Sequence, residues 1–343
     1  MQLASPAVLT SPHGPGSIVG ARFSLEQTTY RVTHRIARGG SSFILSARAC
    51  DDASRAGRGR PRNVAVKISR PGPMREVADE RLRRETALLL DQDHRNIVGA
   101  LAPGVWRDDP CLILERIEGQ TLARRLRGGP RLGLTDLLAV VRDVLLALAY
   151  LLHDDRFVAH RDIKPAYFML DDTGSAKLID FGSARTRFGF RPGLVTDLVG
   201  TLPYLAPETM SDPASADVRS DLYALGMVLF RMLSGRDDLL ESSWEGLLEQ
   251  QRAERFPPVG LFHGLHEHAA LADACQLIVS RALRARPEER YQTPYEFLRD
   301  VREALDLARM AERADEQQGS TNRCRSPSAL HTIPDEGPLA RIG

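Results

Sequence analysis

Lysine, cysteine and asparagine are all scarce in this chain, and no long stretch is purely apolar. Lysine occurs three times among 46 basic side chains, at Lys67, Lys164 and Lys177. Arginine serves wherever a positive charge is enough, so each remaining lysine is informative. Four cysteines (Cys50, Cys111, Cys275 and Cys324) lie far apart with no CxxC pair. That argues against a cysteine metal centre or a disulfide framework, and reduced thiols fit a cytoplasmic protein. The most apolar long segment, Leu134 to Leu152, carries Asp136, Arg142 and Asp143. A spanning helix needs about 20 mostly apolar residues, so this one is expected to be a buried helix. The opening MQLASPAVLTSPHGPGSIVG lacks a charged leader and a continuous apolar stretch, and does not read as a signal peptide. A net charge of +1 leaves no global field to steer the chain to nucleic acid or an anionic membrane.

What is present is ordinary for a globular protein: 43% hydrophobic, 27% charged and 6% aromatic residues, which excludes collagen-like and wholly disordered chains. The length of 343 residues suggests about two compact units. Residues 1–28, rich in Pro, Ser and Gly, are expected to form a flexible arm. Strand signals follow from Tyr30 to Ala47, interrupted at Gly39-Gly40, then at Asn63 to Ile68 and Cys111 to Ile117. A polar Arg/Gly-rich loop spans 51–62, and Glu76 to Leu90 has helical spacing. After Gly119 apolar helices dominate, at 134–153, 218–234, 269–284 and 293–310. A small strand-rich unit (29–118) therefore precedes a larger helical one (119–305), and 312–343 is expected to be a disordered tail.

Several short patterns point to phosphate chemistry. Ile36-Ala37-Arg38-Gly39-Gly40-Ser41-Ser42-Phe43-Ile44 sets two glycines between strands, where backbone N–H groups can approach a phosphate. Alone, such a loop is more often a hairpin turn. Val64-Ala65-Val66-Lys67 carries a lysine on an apolar strand, where its ammonium needs an anion; Glu85 of the following helix is the natural partner. In His160-Arg161-Asp162-Ile163-Lys164-Pro165 a carboxylate stands two residues before the second lysine. The Asp can accept a hydroxyl proton while the ammonium neutralises a transferring phosphoryl group. Further on, Asp180-Phe181-Gly182 ends an apolar strand with a carboxylate suited to Mg²⁺.

Taken together in this order, with Gly200-Thr201, Ala206-Pro207-Glu208 and the Asp221 to Gly226 segment, these motifs resemble the protein kinase family. The resemblance covers about residues 30–303 and is closest to bacterial Ser/Thr kinases. It implies a two-lobe α+β fold with an ATP cleft between a small β-rich lobe and a larger helical one. It further implies that Ile36 to Ile44 cover the ATP phosphates, that Lys67, held by Glu85, contacts them, and that Leu114 is the gatekeeper. Glu115 to Ile117 would form the adenine hinge, Asp162 would orient the attacking hydroxyl, Lys164 would neutralise γ-phosphate charge and Asp180 would bind Mg²⁺ (or Mn²⁺). Arg290 would pair with Glu208. Thr196 stands where related kinases carry an activating phosphate, so autophosphorylation is expected; the protein substrate is not readable. Lys177 receives no role.

Three positions depart from the family pattern. Ala37 and Ser42 replace loop glycines, which are mild changes. Tyr167 stands where HRDxKPxN requires Asn as a ligand for a second Mg²⁺. No neighbour can substitute, since the only asparagines are Asn63, Asn96 and Asn322. The expected activity is Ser/Thr protein phosphorylation weakened at Tyr167, and the alternative is a pseudokinase acting as a nucleotide sensor or scaffold.

Overall fold

Short runs rich in apolar and β-branched residues organise the first half of the chain into strands. In the computed structural model, residues 6–10, 18–25, 28–39, 42–50, 61–128, 132–187, 201–236, 240–241, 243–262 and 265–324 are described. Strands β1 (Ala7–Leu9), β2 (Arg22–Leu25), β3 (Thr28–Arg38), β4 (Ser42–Ala49) and β5 (Asn63–Ser69) come first. Helix α1 (Arg75–Leu89) follows, then β6 (Ala100–Trp106) and β7 (Asp109–Glu115). They form one seven-stranded sheet in the order β1-β6-β7-β5-β4-β3-β2. The sheet curls until its ends meet. The Thr10 N–H donates to the Arg22 carbonyl at 2.8 Å, and the Arg22 N–H returns a bond of 2.7 Å to Thr10.

Because successive strand residues face opposite sides, β5 serves two interiors. Val64, Val66 and Ile68 enter the curled sheet with Phe23, Tyr30, Leu45, Ile113 and Trp106. Ala65 faces the other way and joins the larger core that includes Leu82, Leu88 and Leu89 of α1. Lys67 shares that second face, which is why a strand of buried apolar residues can deliver an ammonium to the helix.

The second half contains β8 (Gly119–Thr121), α2 (Leu122–Gly128), α3 (Leu134–Leu151), β9 (Phe157–Ala159), β10 (Phe168–Asp171), β11 (Ala176–Leu178) and β12 (Arg185–Thr186). After these come α4 (Pro207–Ser211), α5 (Val218–Ser234), α6 (Trp244–Arg252), α7 (Ala269–Ala282) and α8 (Pro294–Cys324). Helix α5 is apolar on nearly every side and is buried accordingly. Asp217 and Ser220 cap it reciprocally, and Gly235, at φ 61°, ends it in the left-handed conformation. Gly226 lets α7 approach: a Cβ there would lie 2.5 Å from that of Ala282. No helix among the described residues is long and apolar enough to cross a membrane.

This is the α+β arrangement expected, with two corrections. Residues 7–9 and 22–25 of the supposed flexible arm are strands of the large sheet. The short runs AVL and RFSL lie in a Pro/Ser/Gly-rich context that hides their alternation, and they are fixed by pairing to β6 and β3. The supposed disordered tail begins as helix, since α8 runs on to Cys324 with no proline after Pro294. Most of the polar loop at 51–62, and the tail beyond 324, lie outside the described residues.

Candidate active site

The two halves meet at a cluster of buried charges. Lys67 of β5 donates to both carboxylate oxygens of Glu85 of α1, at 2.8 and 2.6 Å, and to Asp180 Oδ1 at 2.8 Å. Glu85 also accepts the Phe181 N–H at 3.1 Å, which ties α1 to the segment after β11. Burial works against charge on Lys67, but the charges of Asp180 and Glu85 outweigh it and hold the ammonium protonated. Burial likewise opposes the Asp180 carboxylate; the Lys67 charge and hydrogen bond prevail, aided by the Gly182 N–H, and bring its pKa down to about 2. Asp180 adopts φ 66°, a left-handed conformation that Asp tolerates better than most residues.

A second cluster lies on the loop between β9 and β10. Arg161 also has a left-handed φ, 65°, and the loop is fixed from beneath by Asp221 of α5. That carboxylate accepts the His160 N–H at 2.6 Å and the Arg161 N–H at 2.8 Å. Burial of Asp221 outweighs both bonds and pushes its pKa up to about 7. His160 is wholly buried, its ring edge-on to Phe181 at 4.8 Å, and burial lowers its pKa to about 4. Above them Lys164 Nζ donates to Asp162 Oδ2 at 2.8 Å and to Thr201 Oγ1 at 3.0 Å. Asp162 Oδ1 is buried and accepts no hydrogen bond among the described residues. Burial raises the Asp162 pKa, against the pull of Lys164.

Tyr167 joins the clusters. Its ring lies 4.2 Å from Lys164 Nζ, a cation–π contact. Its phenol faces Asp162 and Asp180, and burial followed by those two charges keeps the proton firmly on the oxygen.

The remaining expected residues sort as follows. Ile36, Ala37, Arg38 and Gly39 form an exposed strand end, with the Gly39 N–H donating to the Ser42 carbonyl at 2.8 Å. Ser42 is buried, and Phe43 lies between Arg35 and Arg70. Ile44, Leu114 and Ile117 line the larger core where the halves meet. Gly40, Ser41 and Thr196 lie outside the described residues. Glu208 pairs with buried Arg290 through bonds of 2.8 and 2.7 Å, as the motifs implied.

The residue that sequence reasoning left without a role is Lys177. Its ammonium meets Glu115 Oε1 at 2.6 Å, and the same oxygen accepts the Gly99 N–H at 2.8 Å. Lys177 thus fixes Glu115 between the loop after α1 and the strand that leads to Asp180. Only the rarity of lysine marked it in the sequence.

The described side chains contain no group of three His, Cys, Asp or Glu that would form a complete metal cage. Asp180 still suits a hard divalent cation, which is commonly held by one or two carboxylates and completed by the phosphates of a bound nucleotide.

The protein kinase domain family matches residues 46–300. The serine/threonine-protein kinase PknB of Mycobacterium tuberculosis is 32% identical over 248 residues, covering 70% of this chain and 38% of that protein. PrkC of Bacillus subtilis, another serine/threonine-protein kinase, is 29% identical over 263 residues (74% and 38%). The probable kinase PknB of Lactococcus lactis is 25% identical over 284 residues (82% and 43%). The chain therefore spans about two fifths of the length of these relatives.

Proposed function

The chain belongs to the protein kinase domain family, and from that premise we propose that it transfers the γ-phosphoryl group of ATP to Ser or Thr hydroxyls of proteins. The observation that carries this reading is the pair of lysine clusters facing one another across the junction of the halves. On this reading Lys67, fixed by Glu85, holds the nucleotide phosphates, the loop at 36–44 is the phosphate-covering segment and Glu115 to Ile117 meet the base. Asp180 supplies the carboxylate for Mg²⁺, whose role when bound is to offset phosphate charge.

On this reading Asp162, whose Oδ1 takes no hydrogen bond from Lys164, is the acceptor for the proton of the attacking hydroxyl. Its raised pKa brings it nearer to neutrality, which suits a general base. Lys164, already bonded to that carboxylate, donates toward the oxygen on which charge develops. Thr201 fixes the other side of the ammonium and so connects the transfer chemistry to the segment bearing Glu208. The names of the relatives, all serine/threonine-protein kinases, support the choice of acceptor.

Thr196 is the proposed activating phosphosite. Burial and then the charge of Arg185 lower the Arg161 pKa, with Asp221 opposing and Arg84 and Arg81 adding to the fall; a phosphothreonine of about −2 charge would supply a further anion.

The deciding experiment is transfer from radiolabelled ATP with added Mg²⁺ or Mn²⁺, followed by phosphoamino-acid analysis. Label on Ser or Thr is expected. Nucleotide binding without any transfer would favour the pseudokinase reading.

A further inference from the structure

The Tyr167 side chain occupies the place between Asp162, Asp180 and Lys164, and three observations define what it does there. Its ring carries the Lys164 ammonium at 4.2 Å, so the ring face is a seat for a cation already belonging to the protein. Its backbone is pinned on both sides: the Tyr167 N–H donates to the Lys164 carbonyl at 3.0 Å and its carbonyl accepts the Ile179 N–H at 2.9 Å. The main chain at Tyr167 is thus fixed relative to Lys164 and to the residue before Asp180, and the ring lies against the Lys164 ammonium. Lys164 itself is held on its other sides by Asp162 and Thr201.

We propose that this is a site for one divalent cation rather than two, in which Lys164, seated on the Tyr167 ring, supplies the second positive charge to the phosphates. The inference rests on the kinase reading above and specifies how its transfer end is built. An amide oxygen at position 167 would offer a lone pair to a hard cation. A tyrosine places a bulky ring there, which lies against the Lys164 ammonium at 4.2 Å and fills the space an ion would take. The ammonium cannot dissociate as an ion does. The transfer end is thus permanently loaded with one charge, and only the Asp180 ion depends on supply. Tyr167 is a positioning residue, acting through Lys164.

The test counts bound Mn²⁺ by electron paramagnetic resonance on the full chain saturated with a non-hydrolysable ATP analogue. One ion per nucleotide is expected in the parent and in Tyr167→Phe, which keeps the ring; two are expected in Tyr167→Asn. Two ions in the parent or in Tyr167→Phe overturn this proposal alone. A single ion in Tyr167→Asn, with thermal unfolding showing that variant to be folded, also overturns it, because removing the ring should open the second place. If Tyr167→Asn does not fold, the parent and Tyr167→Phe counts decide. Absence of nucleotide binding in the parent overturns the kinase reading itself and the proposal with it. Activity gives a second readout: parent transfer should stop rising once the nucleotide carries one ion, whereas Tyr167→Asn should rise further with free Mg²⁺ and exceed the parent, by up to about 10²-fold if the gain equals one electrostatic stabiliser. A parent whose transfer keeps rising with free Mg²⁺ contradicts the one-ion site.

Discussion

Lys67 and Lys164 are both largely buried lysines of one cleft, yet they are held by different physics. Lys67 is enclosed by two carboxylates at hydrogen-bond distance. Lys164 has one carboxylate, a neutral hydroxyl and an aromatic face. The first arrangement is an anchor, in which each charge makes burial of the others tolerable. The second is softer, and Lys164 engages only one oxygen of Asp162. On the proposed reading, anchoring needs full pairing, whereas transfer needs a partner left incomplete.

The largest effect is expected at the anchor. Lys67→Met strands Glu85 and Asp180 without their shared cation, and breaking such a buried pair costs about 3–5 kcal/mol. Urea unfolding should show that loss and calorimetry should show weakened ATP binding, with transfer abolished. Unchanged values in both would mean that the cleft is elsewhere. The transfer end should behave differently. Asp162→Asn is expected to slow transfer by about 10²–10⁴-fold, the usual contribution of a positioned acid or base, while ATP affinity measured by calorimetry stays near that of the parent. A parallel loss of affinity would erase the distinction between the two lysine sites.

A smaller effect concerns the support beneath the loop. Asp221 has a folded-state pKa of about 7 against an ordinary carboxylate value of 3.8. A group raised in this way stabilises the fold fully below the lower value, and the contribution is lost as pH rises through the upper one. His160 works in the opposite sense: it is lowered to about 4 from 6.5, so its contribution is lost as pH falls through that interval. Asp221→Asn should therefore leave the His160 slope unopposed by Asp221, making stability rise with pH between about 4 and 7 more steeply than in the parent. Urea midpoints across that range measure it, and parallel curves for the two proteins would contradict the assignment. The smallest effect is expected at Lys177. Its pair with Glu115 is partly exposed, and such pairs contribute about 0–1 kcal/mol. Lys177→Met should raise KM for ATP by no more than a few fold, with kcat preserved; a fall in kcat alone would point to the Asp180 strand instead.

Much of this site was legible in the sequence because its parts are punctuated locally. The alternation around Lys67, the spacing to Glu85 and the Asp-Phe-Gly turn each left a mark in a few neighbouring residues. The Glu208–Arg290 pair followed from motif alone. What stayed hidden depends on residues far apart in the chain. Nothing beside Lys177 names Glu115, which is 62 positions away. Nothing beside Asp221 announces that its carboxylate will take the N–H groups of His160 and Arg161. The strands at Ala7–Leu9 and Arg22–Leu25 were missed for a related reason: at three and four residues they are too short to show a period, and only their partners give them structure.

Those two strands change how the strand-rich half can meet other proteins. An open sheet exposes a row of unsatisfied N–H and C=O groups that a foreign peptide can extend. Here β1 lies along β6, β2 lies along β3, and Thr10 is bonded to Arg22 where the two would otherwise leave a seam. Recruitment by adding a strand there would first require β1 or β2 to peel away, giving up the burial of Leu9 or of Phe23 and Leu25. Among the described residues, an incoming strand would therefore compete with the Thr10–Arg22 bridge rather than meet an open seam.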